Sequence, residues 1–247
     1  MNTPVATGFL LINKPTGISS YGCIGFLKRI LKQKIKIGHA GTLDPFASGM
    51  LIVAIGREAT RLIDHMMVME KTYVAMGKCG ELTDTLDYTG TMVTTTDYIP
   101  SEQEICTSLV SFGSSYEQIP PLYSALKHQG SPLYSLVRQS VMSAQQLQEI
   151  AANKRRIVQL YDLQLLSYES PYFTIQARVS HGTYIRTLIN DIAERAGSCA
   201  TTHQLARTAV GPFKLCQATE LPLINTIDDI NRLMIPVEAL ESIITTI

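Results

Sequence analysis

Cysteine is sparse in this 247-residue chain, and its distribution argues against two kinds of site. The cysteines are odd in number, widely separated and never arranged as a C-x-x-C pair; they are Cys23, Cys79, Cys106, Cys199 and Cys216. Such spacing indicates neither a disulfide framework nor a zinc site. We therefore expect reduced, mostly buried thiols in a cytoplasmic protein.

Long apolar runs are also lacking. The stretch GMLIVAIG is far shorter than the roughly 20 residues that a membrane helix needs. The N-terminal apolar run is short, is stopped by NKP and follows no basic segment, so a signal peptide is not expected. Apolar residues nevertheless make up 45% of the chain, which is enough for a substantial core. The sequence predicts a folded protein with no membrane association.

Acidic side chains are absent before Asp44, although the net charge of the whole chain is zero. Six basic residues lie in that N-terminal part: Lys14, Lys28, Arg29, Lys32, Lys34 and Lys36. The tail after Leu221 is acidic instead. This asymmetry fits either a positive face that binds phosphates or the solvated edge of a helix.

Motifs that hold cofactors are missing as well. The histidines are dispersed without metal-ligand spacing, and no P-loop, dinucleotide fingerprint or G-x-S-x-G elbow occurs. The segment DTLDYTG places Asp84 and Asp87 three residues apart but lacks the ligand series of a calcium loop, which favours loop hydrogen bonds. We expect neither a cofactor nor a metal.

The apolar pattern predicts an α+β protein with a mixed sheet. Strands are predicted at GFLLINKP, GMLIVAIG and KTYVAMGKCG, and helices at SYGCIGFLKRILKQ and SEQEICTSLVSF, the second with a capping box from Ser101 and Glu104. A strand, a turn and an amphipathic helix that ends at Gly197 follow in FTIQARVSHGTYIRTLINDIAERAG. We expect one domain with a long surface excursion over Gln118–Arg156, a length that usually has a functional use.

The segment GHAGTLDPFASG contains Asp44 between a glycine-rich turn and a proline. An Asp-Pro pair commonly begins a helix, with the carboxylate as its cap. The flanking His39 and Thr42 add polar groups that a simple cap does not need. From these residues alone, Asp44 is either a cap or a reactive carboxylate.

Four stretches together resemble one family: NKPTGISS, GHAGTLDPFASGMLIVAIGREATR, IPPLYSALKHQGSPLYSLVR and HGTYIRTLINDIA. In their order and spacing they are similar to the bacterial TruB family of tRNA pseudouridine synthases, which act on uridine 55 of the T loop. The resemblance covers roughly Gly8 to Leu240. It implies the pseudouridine synthase fold, a mixed, largely antiparallel sheet flanked by helices and loops, in a single catalytic domain over residues 1–247.

The resemblance also implies three catalytic residues. Asp44 matches the essential aspartate of the family, and Arg186 matches the arginine that pairs with it. Tyr73 matches the tyrosine that stacks on the target base. The same resemblance implies a reaction without cofactor, in which Asp44 acts either as a nucleophile on the sugar or as a base.

Five further positions are implied as substrate-binding. His39 matches the histidine that enters the T loop when the base leaves its stack, and Tyr184 matches a tyrosine beside the active site. Leu205 matches an apolar residue of the uracil pocket. Lys14 is expected to support the pocket, and Arg207 to contact a phosphate.

The chain departs from the family pattern in three places. Ala206 stands where an Arg-Arg pair usually begins, so that Arg207 is alone. The segment from Ser140 to Arg156 is longer and more helical than its compact counterpart. We also expect no C-terminal PUA domain, because the sequence stops soon after IPVEAL.

The resemblance implies tRNA, through its T arm, as the partner, and a monomer without an obligatory protein partner. Two alternatives are a guide-dependent relative that modifies ribosomal RNA and a tRNA-binding folding factor with incidental catalysis. The expected lack of a PUA domain disfavours the first alternative. The presence of Asp44, Tyr73 and Arg186 disfavours the second, since a binding module needs no such set.

Overall fold

A computed structural model describes residues 4–139 and 142–240 of the chain. The elements of its N-terminal part are β1 (Gly8–Lys14), α1 (Ser20–Leu31), β2 (Ile37–His39), β3 (Ser48–Ile55), α2 (Arg57–Arg61), α3 (Ile63–Val68), β4 (Lys71–Cys79), β5 (Glu81–Thr83), β6 (Met92–Thr95), α4 (Glu102–Ser111) and β7 (Ser115–Gln118). The remaining elements are β8 (Lys127–His128), β9 (Ser131–Pro132), α5 (Leu133–Arg138), α6 (Ala144–Ala152), β10 (Arg156–Glu169), β11 (Tyr172–Val179), α7 (Ile185–Arg195), β12 (Ala200–Val210), β13 (Phe213–Lys214), β14 (Thr219–Glu220), α8 (Ile227–Leu233) and β15 (Ile235–Pro236). The predicted helices and strands are thereby confirmed, and the α+β class with them.

The chain forms two compact units. The first contains residues 1–72 and 206–247, and the second contains residues 73–205. The division does not test the expectation of a single catalytic domain, which stays a prediction.

The first unit contains a mixed sheet in the order β14–β1–β3–β12. Strand β1 runs antiparallel to β3 over its whole length, while β14 on β1 and β12 on β3 are parallel pairs. Gly49 faces Arg207 in the second parallel pair and has a φ of +110°. A Cβ atom at Gly49 would lie 2.3 Å from the Arg207 carbonyl oxygen, so this close approach requires glycine.

Apolar side chains cover both faces of this sheet because β1 and β3 alternate their side chains between the faces. One face packs Leu10 and Ile12 with Leu51 and Val53 against α1, whose buried residues include Leu27. The other packs Phe9, Met50 and Ile52 with Val210 and Phe213. Two apolar layers therefore fix β3, the strand that begins directly after the segment around Asp44.

The second unit contains the strand order β4–β11–β10–β7. β11 alternates buried and half-buried residues, as expected for a strand with one covered face, and its buried side chains include Phe173 and Ile175. Helix α7 is amphipathic and buries Leu188, Ile189 and Ile192. A Cβ atom at Gly77 of β4 would lie 2.6 Å from Phe173 and 2.8 Å from Ile189, so strand and helix pack closely there.

The excursion over residues 118–156 has secondary structure of its own within the described residues. Its two ends are paired, since Gln118 faces Arg156 in the antiparallel pair of β7 and β10. Between them lie the hairpin of β8 and β9 and the helices α5 and α6. The expected helical character from Ser140 onward is confirmed for α6, while residues 140 and 141 lie outside the described residues.

Candidate active site

Asp44 lies in the loop that joins β2 to β3, and its side chain is half-buried. No helix begins there: the Asp44 carbonyl oxygen accepts a hydrogen bond from the Ala47 N–H at 3.1 Å, and the chain turns directly into β3. The interpretation of Asp-Pro as a helix cap is therefore wrong. The physical reason is that β3 begins at Ser48, so too few residues lie between Asp44 and this strand to form a helix.

Hydrogen bonds hold this loop on both sides of Asp44. The buried Ser20 hydroxyl, at the start of α1, accepts from the Leu43 N–H at 2.8 Å and donates to the Leu43 carbonyl at 3.1 Å. On the other side, the Gly17 N–H donates to the Pro45 carbonyl at 2.7 Å. The residues before and after Asp44 are thus fixed to the segment that leads into α1.

Lys14 is a buried cation of the first unit, with no exposed surface. Its Nζ donates to the carbonyl oxygens of Pro15 at 2.9 Å, Ile18 at 2.7 Å and Pro45 at 3.3 Å. Burial lowers the pKa of Lys14 to about 8, while the charge of Asp44 acts in the opposite direction. Lys14 therefore binds the carbonyl that directly follows Asp44.

Arg207 is only 1% exposed and is bonded inside the first unit. Its guanidinium donates to the Met50 carbonyl at 2.7 Å and to the Gly41 carbonyl at 3.1 Å. These bonds connect β12 to β3 and to the glycine turn before Asp44. In this arrangement Arg207 supports the loop from within, and its expected phosphate contact stays a prediction.

His39 ends β2 and is half-buried. Among the described residues its buried Nδ1 atom has no hydrogen-bond partner. Burial lowers the pKa of His39, and the charge of Arg207 lowers it further. A neutral imidazole therefore lies at the start of the Asp44 loop near neutral pH.

In the second unit, Arg186 lies in the first turn of α7 and is 3% exposed. Its guanidinium donates to the backbone carbonyls of Thr85 and Tyr123, the second at 2.9 Å. The Asp87 carboxylate lies 3.8 Å from it and is held by the Thr89 N–H at 3.0 Å. These partners fix a planar cation in one orientation.

Asp87 was missed as a neighbour of Arg186, although the loop hydrogen bonds predicted for DTLDYTG are confirmed. Asp84 accepts from the Thr91 N–H at 2.8 Å, and Asp87 accepts from the Thr85 hydroxyl at 3.0 Å. The signal was an aspartate in a threonine-rich turn, but its partner Arg186 is distant in sequence. The local sequence pattern alone therefore could not predict that Asp87 and Arg186 are neighbours.

The other predicted residues of the second unit lie on two strands and directly before α7. Tyr73 is half-buried on β4, Tyr184 is the residue that precedes α7, and Leu205 is buried on β12. The Arg156 guanidinium stacks on the Tyr184 ring at 5.1 Å from its centroid. The roles assigned to these residues stay predictions.

The first unit thus brings together Lys14, His39, Asp44 and Arg207, while Tyr73, Tyr184, Arg186 and Leu205 belong to the second. The pairing of Asp44 with Arg186 stays a prediction.

Within residues 4–139 and 142–240, no cluster of three His, Cys, Asp or Glu side chains is arranged to hold a metal ion. Over the same residues, no helix has the length and apolar character to cross a membrane.

Asp191 of α7 lines a cavity of about 380 Å³ together with Tyr116, Glu117, Ile119, Glu194 and Arg195. Burial raises the pKa of Asp191 to about 7; the nearby Glu194 raises it as well, while the Tyr116 hydroxyl and Arg195 lower it. Burial also raises the pKa of Tyr116. This carboxyl therefore takes up a proton near neutral pH, on the helix that positions Arg186.

We expect Asp191→Asn to flatten the pH dependence of stability. The carboxyl has a pKa of about 7 in the folded state and an ordinary value of 3.8. Between these values the folded state binds the extra proton, so the free energy of unfolding falls as pH rises. Urea unfolding at pH 8 should show the variant more stable by on the order of 1–2 kcal/mol. A pH slope as steep as that of an Asp64→Asn control, whose substitution is at an exposed position of α3, would contradict this.

Comparisons with known proteins agree with this fold. A solved structure described as a Cbf5–Nop10–Gar1 complex superimposes with a TM-score of 0.68 at 26% identity, over 94% of this chain and 60% of that one. The profile of the TruB family pseudouridylate synthase N-terminal domain matches residues 28–185. The fold and this match together define a pseudouridylate synthase.

Relatives of similar sequence carry a more specific name. The tRNA pseudouridine synthase B of Syntrophotalea carbinolica is 41% identical over 88% of this chain and 68% of its own length. Those of Mannheimia succiniciproducens and Protochlamydia amoebophila are 39% and 36% identical, over 83% and 92% of this chain and 64% and 83% of theirs. The chain belongs to the TruB family. It spans about two thirds of the length of the first and second of these relatives.

Proposed function

We propose that this protein converts uridine to pseudouridine in tRNA, at uridine 55 of the T loop, with Asp44 as the catalytic carboxylate. The observation that carries the proposal is the loop of Asp44, which hydrogen bonds of Ser20 and Lys14 hold on both sides while Asp44 itself stays partly exposed. Support comes from the family and from relatives named tRNA pseudouridine synthase B.

The reaction is an isomerisation that needs no oxidant or reductant. The C1′–N1 bond of the nucleotide breaks, C1′ bonds to C5 of the same base, the C5 proton leaves and N1 gains a proton. A carboxylate serves this sequence either as a nucleophile at C1′ or as a base toward the sugar. Asp44 takes one of these roles without cofactor or metal.

A carboxylate beside an anionic RNA needs a fixed cation, because like charge and loss of water both raise its pKa. Arg186 supplies that cation, since its guanidinium does not deprotonate and binds a carboxylate through two parallel hydrogen bonds. Tyr73 stacks on the target base and Leu205 borders the uracil. Tyr184 lies beside them.

The target base must leave the folded T loop before its glycosidic bond is accessible. His39, neutral and placed before the Asp44 loop, fills the space that the base vacates. Lys14 and Arg207 keep this loop in place from the interior. The protein acts as a cytoplasmic monomer on the T arm, without an obligatory protein partner.

The exposed basic residues of α1 and the segment after it supply the phosphate contacts. Lys28, Arg29, Lys32, Lys34 and Lys36 are all exposed, in contrast to the buried Lys14. Each lysine or arginine that displaces a condensed counterion adds a slope of order one to the log–log dependence of binding on salt.

Neutralising three of these lysines tests the RNA-binding face. Lys28→Gln, Lys32→Gln and Lys36→Gln combined should lower the salt slope of tRNA binding by about two to three. KM should rise more than kcat falls, because phosphate contacts act equally on the bound and reacting states. A matched triple variant of exposed residues, Gln103, Gln145 and Gln164 to Ala, should leave both quantities unchanged. An unchanged salt slope in the lysine variant would place the RNA on another face.

The proposed activity is measured by release of tritium from C5 of uridine-labelled, unmodified tRNA. The purified protein alone should release one C5 hydrogen per tRNA, with no guide RNA or second protein added. Release only after adding such a component would favour the guide-dependent alternative. Tight tRNA binding without release would favour the folding factor.

A further inference from the structure

Gln118, the last residue of β7, is 1% exposed and forms hydrogen bonds with both backbone groups of Tyr184. Its Oε1 accepts from the Tyr184 N–H at 2.8 Å, and its Nε2 donates to the Tyr184 carbonyl at 3.0 Å. The same Nε2 also donates to the Tyr116 hydroxyl at 2.5 Å. The buried Gln118 amide thus binds the Tyr184 backbone through both its donor and its acceptor.

The contact of Gln118 with Tyr184 affects the start of α7, because of where Tyr184 lies. Tyr184 is the cap residue of α7, and its own side chain makes no capping hydrogen bond. The start of a helix has N–H groups without partners inside the helix, so contacts to the cap residue help to hold the first turn. Gln118 binds the backbone of that residue, and Arg186 follows it by two positions in the first turn of α7.

A neighbouring residue holds the side chain of Tyr184. Arg156 lies directly opposite Gln118 in the pair of β7 and β10 and places its guanidinium over the Tyr184 ring. The two ends of the excursion over residues 118–156 therefore contact the backbone and the ring of the same residue. Both contacts lie within the second unit.

We infer that Gln118 is a positioning residue of the reaction: by holding the Tyr184 backbone, it sets the place from which the Arg186 guanidinium acts. This inference rests on the proposed function, because Arg186 matters to it as the cation beside the reacting carboxylate. A displacement of about 1 Å at a reacting group costs about a hundredfold in rate. Loss of the two bonds to Tyr184 therefore slows the chemical step.

Gln118→Met tests the inference, since methionine is similar in size and shape but makes neither bond. With enzyme in excess over labelled tRNA, the single-turnover rate constant should fall about a hundredfold. The Kd for tRNA should stay within about threefold, because Gln118 is buried away from solvent. Single-turnover rates under these conditions do not depend on the fraction of active protein, so partial unfolding does not imitate the result.

Two matched variants separate positioning from stability. Ser108→Ala removes another buried side chain that donates to a backbone carbonyl of α7, that of Ile192 at 2.7 Å, far from its start. Tyr116→Phe removes the hydroxyl that Gln118 also contacts and keeps both bonds to Tyr184. Both variants should retain the wild-type rate within about threefold. A slow rate in Ser108→Ala equal to that of Gln118→Met would overturn the inference.

Gln118→Glu provides a second test, which remains possible if Gln118→Met does not fold. The ionised carboxylate repels the Tyr184 carbonyl, whereas the protonated acid donates to it and still accepts from the N–H. Burial beside a carbonyl raises the pKa of such a glutamate. Its rate relative to wild type should rise at least about tenfold from pH 9 to pH 6.

A flat ratio across this pH range, or a methionine variant within threefold of wild type, would refute the positioning role. Absence of tritium release by the wild-type protein would instead refute the proposed function. The two failures are therefore distinct within one series of measurements.

Discussion

Asp44→Asn is expected to abolish pseudouridine formation, with a single-turnover rate at least about a thousandfold below wild type. The change removes the reactive oxygen and the negative charge but keeps the size and shape of the side chain. Neither a nucleophilic nor a basic role survives in an amide. The Kd for tRNA should stay within about threefold, because the substitution leaves in place the hydrogen bonds of Ser20 and Lys14 to the backbone of the loop.

Asp64→Asn is the matched control for this result. Asp64 lies exposed on α3 in the same unit. Asp64→Asn therefore removes the same charge as Asp44→Asn but leaves the loop of Asp44 unchanged. It should turn over at the wild-type rate. Substantial turnover by Asp44→Asn, within about tenfold of this control, would remove Asp44 from the chemistry.

Arg186→Lys is expected to lose activity by about a hundredfold although the charge is kept. The guanidinium satisfies the carbonyls of Thr85 and Tyr123 at the same time and lies beside Asp87. An ammonium group has no planar fork and is shorter in reach, so it leaves one of these carbonyls without a donor. We expect a loss of stability of about 1–3 kcal/mol as well.

Rate and stability are separated by measuring single-turnover kinetics at a temperature well below the melting point of the variant. Arg232→Lys serves as the control, since Arg232 is exposed and pairs with Asp229 at 2.9 Å on α8. The control should match wild type in both rate and melting temperature. A near-normal rate for Arg186→Lys would show that the fork geometry of Arg186 is not needed by the carboxylate.

Regular elements with strong periodicity were predictable from the sequence. The strand at GFLLINKP, the helix after Ser19 and the capping box of Ser101 and Glu104 are confirmed, since each rests on neighbouring residues. Of the two alternatives left open for Asp44, the helix cap is wrong, because no helix follows it. An Asp-Pro pair provides a cap, but only the packing of β3 decides whether a helix can follow.

Buried polar contacts were not predictable in the same way. Lys14 and Arg207 belong to charged residue types that are usually exposed, and their burial depends on carbonyl oxygens up to 166 residues away in the chain. Gln118 lies 66 residues from Tyr184 and carries no local signal that it would bind a backbone segment. Such long-range hydrogen bonds follow from the tertiary fold, because no sequence period encodes them.

Catalysis by Asp44 at uridine 55 can be measured by mapping pseudouridine at single-nucleotide resolution in unmodified tRNA after incubation with the purified wild-type protein. We predict a single new pseudouridine, at position 55 of the T loop, and none after incubation with Asp44→Asn. Modification at another position, or at position 55 by the Asp44→Asn protein, would contradict it.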